Sequence, residues 1–337
     1  MIRFDTPAAF AAALADLPGP DARAVAAARD RQAQLTKPAG SLGRLEDIAL
    51  FLAGWQGHDR PRLDRGRVAI FAGNHGIAAR GVSAFPPEVT AQMVGNFDAG
   101  GAAINALARA AGLELRVVAI DLDRPTGDIA ETVAMSEAEC LDALNLGAAS
   151  VEAGLDLILP GEMGIGNSTP AAALCAASFG GNAGDWAGPG TGVAGEALAA
   201  KRALIDRALD RHRGDCVSAF EGLRRLGGRE IAAMAGAMLA ARHARVPVLL
   251  DGFIASAALA PLARWQPRIV DHCLAGHVSA EPGHQRLLRH LGLEPLLALG
   301  LRLGEGSGAA VAAGIVRAAL AAHNEMATFA EAGVASE

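Results

Sequence analysis

Four short apolar runs constrain the fold of this chain more than any other feature. Val68-Ala69-Ile70-Phe71-Ala72, Leu115 to Ile120, Leu155 to Leu159 and Pro247 to Leu250 are each followed by Gly, Pro or Asp, and stretches of helical spacing separate them. Ile269 to Leu274 is a weaker fifth run. A strand with one wet face alternates polar and apolar residues, whereas an unbroken apolar strand is buried on both faces. Such strands alternating with helices predict an α/β fold, a doubly wound and mostly parallel sheet flanked by helices. In these sheets ligands gather beyond the carboxyl ends of the strands, so the loops after the runs are where chemistry is expected.

The 337 residues, 51% of them hydrophobic, suffice for one large domain with a smaller lobe or for two domains. The net charge of −6 is spread along the chain without a basic block, which argues against a nucleic-acid partner. Cys140, Cys175, Cys216 and Cys273 are far apart, and no His pair has ligand spacing, so neither a disulfide framework nor a metal site is assigned. Reduced thiols are the plain expectation. Ala8 to Ala13 could imitate a signal-peptide core, but Asp5, Pro7 and Asp16 interrupt it. An amphipathic first helix with Thr6 as N-cap and Pro7 at N1 explains the segment better. No run approaches the ~18 uncharged apolar residues that span a bilayer, so a soluble, cytoplasmic protein with no membrane partner is expected.

Residues 6 to about 56 read as helices in pieces, with Leu42, Leu45, Ile48, Ala49 and Leu52 on one face. A second long helix is predicted over residues 309–330. Together they suggest a small helical lobe, residues 1–56 with 309–337, beside a large α/β domain over residues 57–308 that carries the site.

Three glycine-bearing loops and one carboxylate stand out. Pro160-Gly161-Glu162-Met163-Gly164-Ile165-Gly166-Asn167-Ser168-Thr169-Pro170 follows a strand and precedes a helix expected from Ala171. With Thr169 as cap and Pro170 at N1, its glycines, hydroxyls and free N–H groups would make an anion site, most naturally for phosphate. The segment matches neither a Walker A loop nor a dinucleotide fingerprint, and a plain strand-to-helix turn is the competing reading. Gly188-Pro189-Gly190-Thr191-Gly192 could wrap the same phosphate, with Lys201 adding a point charge, although a lone helical Lys is usually just solvated. Residues 81–93 form another distinctive loop, in which Phe85 either lines a flat pocket or anchors the loop. Near the end, Leu303-Gly304-Glu305-Gly306-Ser307-Gly308 sets a single carboxylate between glycines. Glu305 there is either a general base or a charged residue in a surface turn.

Taken together, Leu35 to Leu45, Ala72 to Gly76, Gly81 to Met93, Gly161 to Ala173, Leu249 to Phe253, Ser279 to Gly283 and Arg302 to Ala310 resemble one enzyme family across essentially the whole chain. It is the nicotinate-nucleotide–dimethylbenzimidazole phosphoribosyltransferase family. The resemblance implies transfer of ribose 5-phosphate from nicotinate mononucleotide to 5,6-dimethylbenzimidazole. The products would be α-ribazole 5′-phosphate, for the nucleotide loop of cobalamin, and nicotinate. It further implies Glu305 as the general base and Glu162 as a supporting carboxylate. Gly164, Gly166, Asn167, Ser168, Thr169, Gly188, Gly190, Thr191, Lys201 and Ser279 fall where the family binds the mononucleotide or its phosphate. Phe85, Met93, Met163 and Leu303 match its base pocket. A homodimer working without metal or other cofactor is implied as well. Asn74 stands where the family usually has Asp, Pro189 lies where it often has Arg, and Phe85 is at a variable pocket position.

The residue types suit this chemistry. Nicotinate leaves as a neutral pyridine nitrogen, so charge builds on an oxocarbenium-like ribose, where a nearby carboxylate helps. The acceptor must lose its N–H proton, which calls for a base. A nicotinamide-dependent oxidoreductase on the same sheet would need a fingerprint and an acidic ribose ligand, and Gly73-Asn74-His75-Gly76 supplies neither. A nucleotide-binding regulatory protein that has lost catalysis is disfavoured by the presence of both Glu162 and Glu305.

Overall fold

The computed structural model describes residues 2–335, so Met1, Ser336 and Glu337 of the lobe drawn above lie outside it. Six strands, β1 (Gly66–Ala72), β2 (Glu114–Ala119), β3 (Leu157–Met163), β4 (Val248–Leu250), β5 (Cys273–His277) and β6 (Pro295–Leu297), form one sheet in the order β2-β1-β3-β4-β5-β6. Every pairing is parallel. The chain runs outward from β1 to β2, then returns to the other side of β1 with β3. The direction of winding therefore reverses between β1 and β3, the place where open α/β sheets hold ligands.

The strand boundaries shift from the sequence reading in instructive ways. The run at Leu155 to Leu159 begins two residues later and continues through Glu162 and Met163, because β1 offers it a full ladder ending at Ala72 and Met163. On its other edge β3 meets β4 only at Ile158 and Val248. Ile158 N–H donates to the Pro247 carbonyl, so Pro160, two residues on, faces the same edge without a donor. The ladder stops there and the sheet opens toward Glu162. Ile269 to Leu274 is mostly a 3₁₀ segment, Pro267–His272, with the strand starting at Cys273. The short edge strand β6 opens the apolar run Pro295 to Leu299, which ends at Gly300 as the other runs end but is not among the strands read from the sequence.

Alternate residues of the central strands serve two cores. Ala69, Phe71, Ile158, Val248 and Leu250 face one layer, which includes the fully buried helix Arg229–His243. Val68, Ile70, Leu157, Leu159 and Leu249 face the other, covered by the long helix Ser307–Glu325. Alanine fills much of both layers, which lets helices approach closely with little side-chain entropy to lose.

Helix Arg44–Gln56 packs on Ser307–Glu325, and Ala22–Gln34 packs in turn on Arg44–Gln56. The first helix, Pro7–Ala15, has Thr6 as its cap and Pro7 at N1, but it lies elsewhere. Phe10 meets Phe220 at 6.3 Å, and the Phe4 backbone pairs with the Asn145 amide, on the opposite layer of the sheet. Its apolar face is completed by the large domain, so it does not belong with the lobe. The long helix begins at Ser307 and ends at Glu325, where the Arg31 guanidinium donates to the carbonyls of His323, Asn324 and Met326. Those groups have no partner within the helix. Arg31→Ala should therefore lower stability by about 1–3 kcal/mol, read as a lower urea midpoint with an unchanged slope.

Candidate functional site

A cavity of about 430 Å³ opens at the carboxyl ends of the strands, a size suited to a small molecule. Each wall comes from a different strand end. Glu162 and Met163 end β3, Asp251 to Ala255 follow β4, and His277, Ser279 and Glu281 stand at and beyond the end of β5. Arg302 to Glu305 follow β6, and Phe85, Val89 and Met93 come from the segment after β1.

Glu305 owes its place to close backbone approach. It sits at φ +62°, between Gly304 at +87° and Gly306 at +79°, conformations that a Cβ disfavours. A Cβ on Gly304 would stand 2.3 Å from Glu162 Oε1, and one on Gly161 would stand 2.9 Å from the Glu305 carbonyl carbon. The glycines thus allow the two carboxylate-bearing segments to touch. Asp251 holds the segment from below, because Oδ2 accepts the Gly306 N–H at 3.1 Å and Oδ1 the Ala309 N–H at 3.0 Å. The Asp251 carboxylate thus satisfies amides at the start of the long helix, where negative charge is favoured. His277 Nε2 lies 3.5 Å from Asp251 Oδ1.

Both candidate acids are only about 5–7% exposed. Burial pushes the Glu162 carboxyl up from an ordinary 4.5 to about 8; the Asn167 amide, donating to its Oε2, opposes this, and the charges of Glu230, Asp251 and Glu305 add to it. Burial likewise raises Glu305; the Ile104 backbone amide works the other way, and Asp251 adds to the rise. Glu305 Oε2 is buried with no hydrogen-bond partner. A carboxylate held dry, with one oxygen unpartnered and its proton affinity raised, is suited to accept a proton from a ligand.

The polar loops meet on the same cavity. The helix after β3 starts at Ser168, earlier than the Ala171 expected, with Asn167 at the cap position. Thr169 is fully buried inside its first turn with Oγ1 unpartnered, so it is not the cap. Lys201 is also buried, and its Nζ donates to Ser168 Oγ at 2.9 Å and the Gly188 carbonyl at 3.2 Å. Burial lowers the Lys201 ammonium to about 8, while Glu281 acts to raise it. Thr191 Oγ1 pairs with Ser83 Oγ at 2.9 Å, which ties the second glycine loop to the loop bearing Phe85. Ser279 donates its backbone N–H to His284 Nδ1 at 2.9 Å, so that nitrogen is the unprotonated one.

Of the residues singled out in the sequence, Glu305, Glu162, Gly164, Asn167, Ser168, Gly190, Thr191, Ser279, Phe85, Met93, Met163 and Leu303 line the cavity. Gly166, Thr169, Gly188 and Lys201 do not. Gly166 packs beneath Ala78 and Val82, Gly188 lies against Glu281, and Lys201 sits one layer behind Ser168. Asp251, Phe253, His277, Glu281 and Arg302 line it without having been assigned a role. Asp251 had a readable signal, an acid ending an apolar strand run before Gly252. Glu281 closes the polar run His277 to Glu281 after a strand candidate, a position where ligands bind; for Arg302 no comparable local pattern exists.

The turn after β1 is filled from within. Asn74 Nδ2 donates to the Leu122 carbonyl at 2.9 Å, and His75 Nε2 meets the fully buried Glu230 Oε1 at 2.7 Å. That turn leaves no opening for a dinucleotide pyrophosphate. Among the described residues, no three His, Cys, Asp or Glu side chains are grouped to hold a metal ion, and no helix is long and apolar enough to cross a membrane.

Comparison with known proteins bears on this site. A family model described as a phosphoribosyltransferase matches residues 17–334. A protein of Novosphingobium aromaticivorans named nicotinate-nucleotide–dimethylbenzimidazole phosphoribosyltransferase is 68% identical over 335 residues, 99% of each chain. One of the same name from Methylorubrum extorquens is 59% identical over 315 residues, 93% of this chain and 92% of the other. A crystal structure of the enzyme so named from Thermus thermophilus superposes with a TM-score of 0.87 at 42% identity, covering 94% of this chain and all of that one.

The raised Glu162 carboxyl has a testable sign. Between about pH 4.5 and 8 the folded protein keeps a proton that the unfolded chain has released, so folding stability falls as pH rises through that window. Glu162→Gln keeps an acceptor for Asn167 and removes the titration. Its melting temperature should gain on the parent protein from about pH 5 to about pH 8, by roughly 1–2 °C per kcal/mol recovered for a chain of this length. A difference that stays flat in a thermal-shift series across those pH values would contradict the assigned environment.

Proposed function

The chain belongs to the nicotinate-nucleotide–dimethylbenzimidazole phosphoribosyltransferase family and is a phosphoribosyltransferase, and we propose that it joins the ribose 5-phosphate of nicotinate mononucleotide to 5,6-dimethylbenzimidazole in assembly of the cobalamin lower ligand. The observation that carries this reading is Glu305. It is buried, has one oxygen without a partner and is raised in proton affinity, at the wall of a cavity that also presents Phe85, Met93, Met163 and Leu303. A flat bicyclic base suits those side chains, and Glu305 suits its N–H.

In the proposed reaction one base nitrogen attacks C1′ on the face opposite nicotinate. The C1′–N bond to the pyridinium breaks, its electron pair returning to the ring nitrogen, and a new C1′–N bond forms with inversion from β to α. Glu305 takes the N–H proton from the second nitrogen and later releases it to solvent, an effect worth roughly 10²–10⁴-fold. Glu162, mostly protonated at neutrality in the unliganded protein, is drawn back to the carboxylate by the arriving pyridinium charge. It then faces the cationic ribose as the bond loosens. Ser168, Gly190, Thr191 and Ser279, backed by Lys201, hold the phosphate end, and their contribution is positioning. A homodimer in the cytoplasm is the setting we propose for it.

Chromatography of the purified protein with both substrates should show nicotinate and α-ribazole 5′-phosphate appearing together; absence of both while the substrates bind would refute the reaction. Glu305→Gln should keep mononucleotide binding within about two-fold and lose about 10²-fold or more in turnover. Near-normal turnover in that variant would remove Glu305 from the role of base.

A further inference from the structure

The glycine loop that the proposed function gives to the phosphate is already engaged by an acid. Glu281 occupies the cap position before helix Pro282–Leu291, yet its side chain makes no capping bond there. It reaches across instead, and Oε1 accepts the Gly190 backbone N–H at 2.9 Å. Oε2 is pressed against Gly188, where a Cβ would stand 2.2 Å away, and it is buried with no hydrogen-bond partner. The nearby cation is engaged elsewhere, since Lys201 Nζ donates to Ser168 Oγ and the Gly188 carbonyl. Burial raises the Glu281 carboxyl, while Lys201 and Arg302 oppose the rise.

A backbone N–H carries one hydrogen and cannot serve two acceptors at full strength. A phosphate oxygen arriving at Gly190 meets a carboxyl group already there, whose second oxygen has no hydrogen-bond partner. We propose that Glu281 is a specificity-determining residue of the phosphate end, a built-in competitor whose carboxylate occupies the Gly190 N–H and must be displaced by the ligand's phosphate. This rests on the phosphate-site reading given above. The competition lowers affinity for phosphorylated ligands below what the loop and Lys201 would otherwise give, and it favours release of a phosphorylated product. It also keeps the Gly188–Thr191 loop ordered while the site is unliganded, since Glu281 satisfies its amide.

Calorimetric titration with ribose 5-phosphate separates the possibilities. Glu281→Gln keeps the size and the acceptor but removes the charge, and should bind about five- to ten-fold more tightly than the parent protein. Glu281→Ala should bind no more weakly than the parent. Unchanged or weaker binding in Glu281→Gln overturns the proposal, and weaker binding in both variants would make Glu281 a brace for the loop. Lys201→Ala tests the underlying reading on its own. If the parent binds no ribose 5-phosphate, or Lys201→Ala binds it as well as the parent, the phosphate site lies elsewhere and the competitor role falls with it.

Discussion

The site depends on one carboxylate that performs no chemistry in the proposed reaction. Asp251, 2% exposed, accepts the backbone N–H groups of Gly306 and Ala309 with separate oxygens. Those bonds fix where the long helix starts, and Glu305 stands two residues before that start, ahead of the cap Gly306. A non-glycine residue in the left-handed region costs of order 1 kcal/mol or more and persists only when its surroundings over-determine it. Here they do, with Asp251 on one side and the bare backbone of Gly161 on the other. The long helix in turn covers one face of the sheet and packs against helix Arg44–Gln56, so Asp251 ties the catalytic segment to a well-packed part of the molecule.

The sheet makes room for this arrangement by an interruption in β3. Pro160 ends the ladder to β4, and Gly161 removes the side chain that would otherwise fill the face toward the long helix. Glu162 follows with its side chain on the other face. A continuous strand of β-branched residues would be more stable locally and would close the crevice. Pro-Gly-Glu in the middle of a buried sheet therefore exchanges ladder hydrogen bonds for a space in which two carboxylates can approach.

The same segment explains what could and could not be read from the chain. Alternation of apolar runs with helices conveyed the parallel sheet because burial on both faces is written directly into composition. Thr6 and Pro7 marked the first helix start, since a cap is a local interaction. Its partner was not legible, because which layer Phe10 joins depends on Phe220, far along the chain. The stretch from Pro160 to Pro170 looked like a loop on its glycines, but half of it is strand or helix. Gly161 and Gly164 serve close approach by other segments there rather than turning. The role of Glu281 was hidden for a related reason, since its meaning comes from Gly190 and not from its neighbours in sequence.

Crowding of acids is what distinguishes this cavity from an ordinary cleft at a sheet end. Glu162, Glu230, Asp251 and Glu305 act on one another's charge, and Glu281 stands on another wall. Asp251 accepts helix amides on both oxygens, and Glu230 meets His75 with one of its two. Glu305 has an oxygen with no partner, and the single hydrogen-bond donor to Glu162 is an amide. Desolvation penalises an isolated carboxylate strongly, so these two hold protons more readily than an ordinary carboxyl does. A ligand that brings positive charge, as a pyridinium nucleotide does, is attracted by the acids around it and ionises these two. When the pyridinium departs as a neutral ring, that attraction disappears with it, and only the charge that develops on the ribose continues to benefit. The arrangement therefore favours the loosened bond over the intact nucleotide, which is the difference that accelerates a reaction.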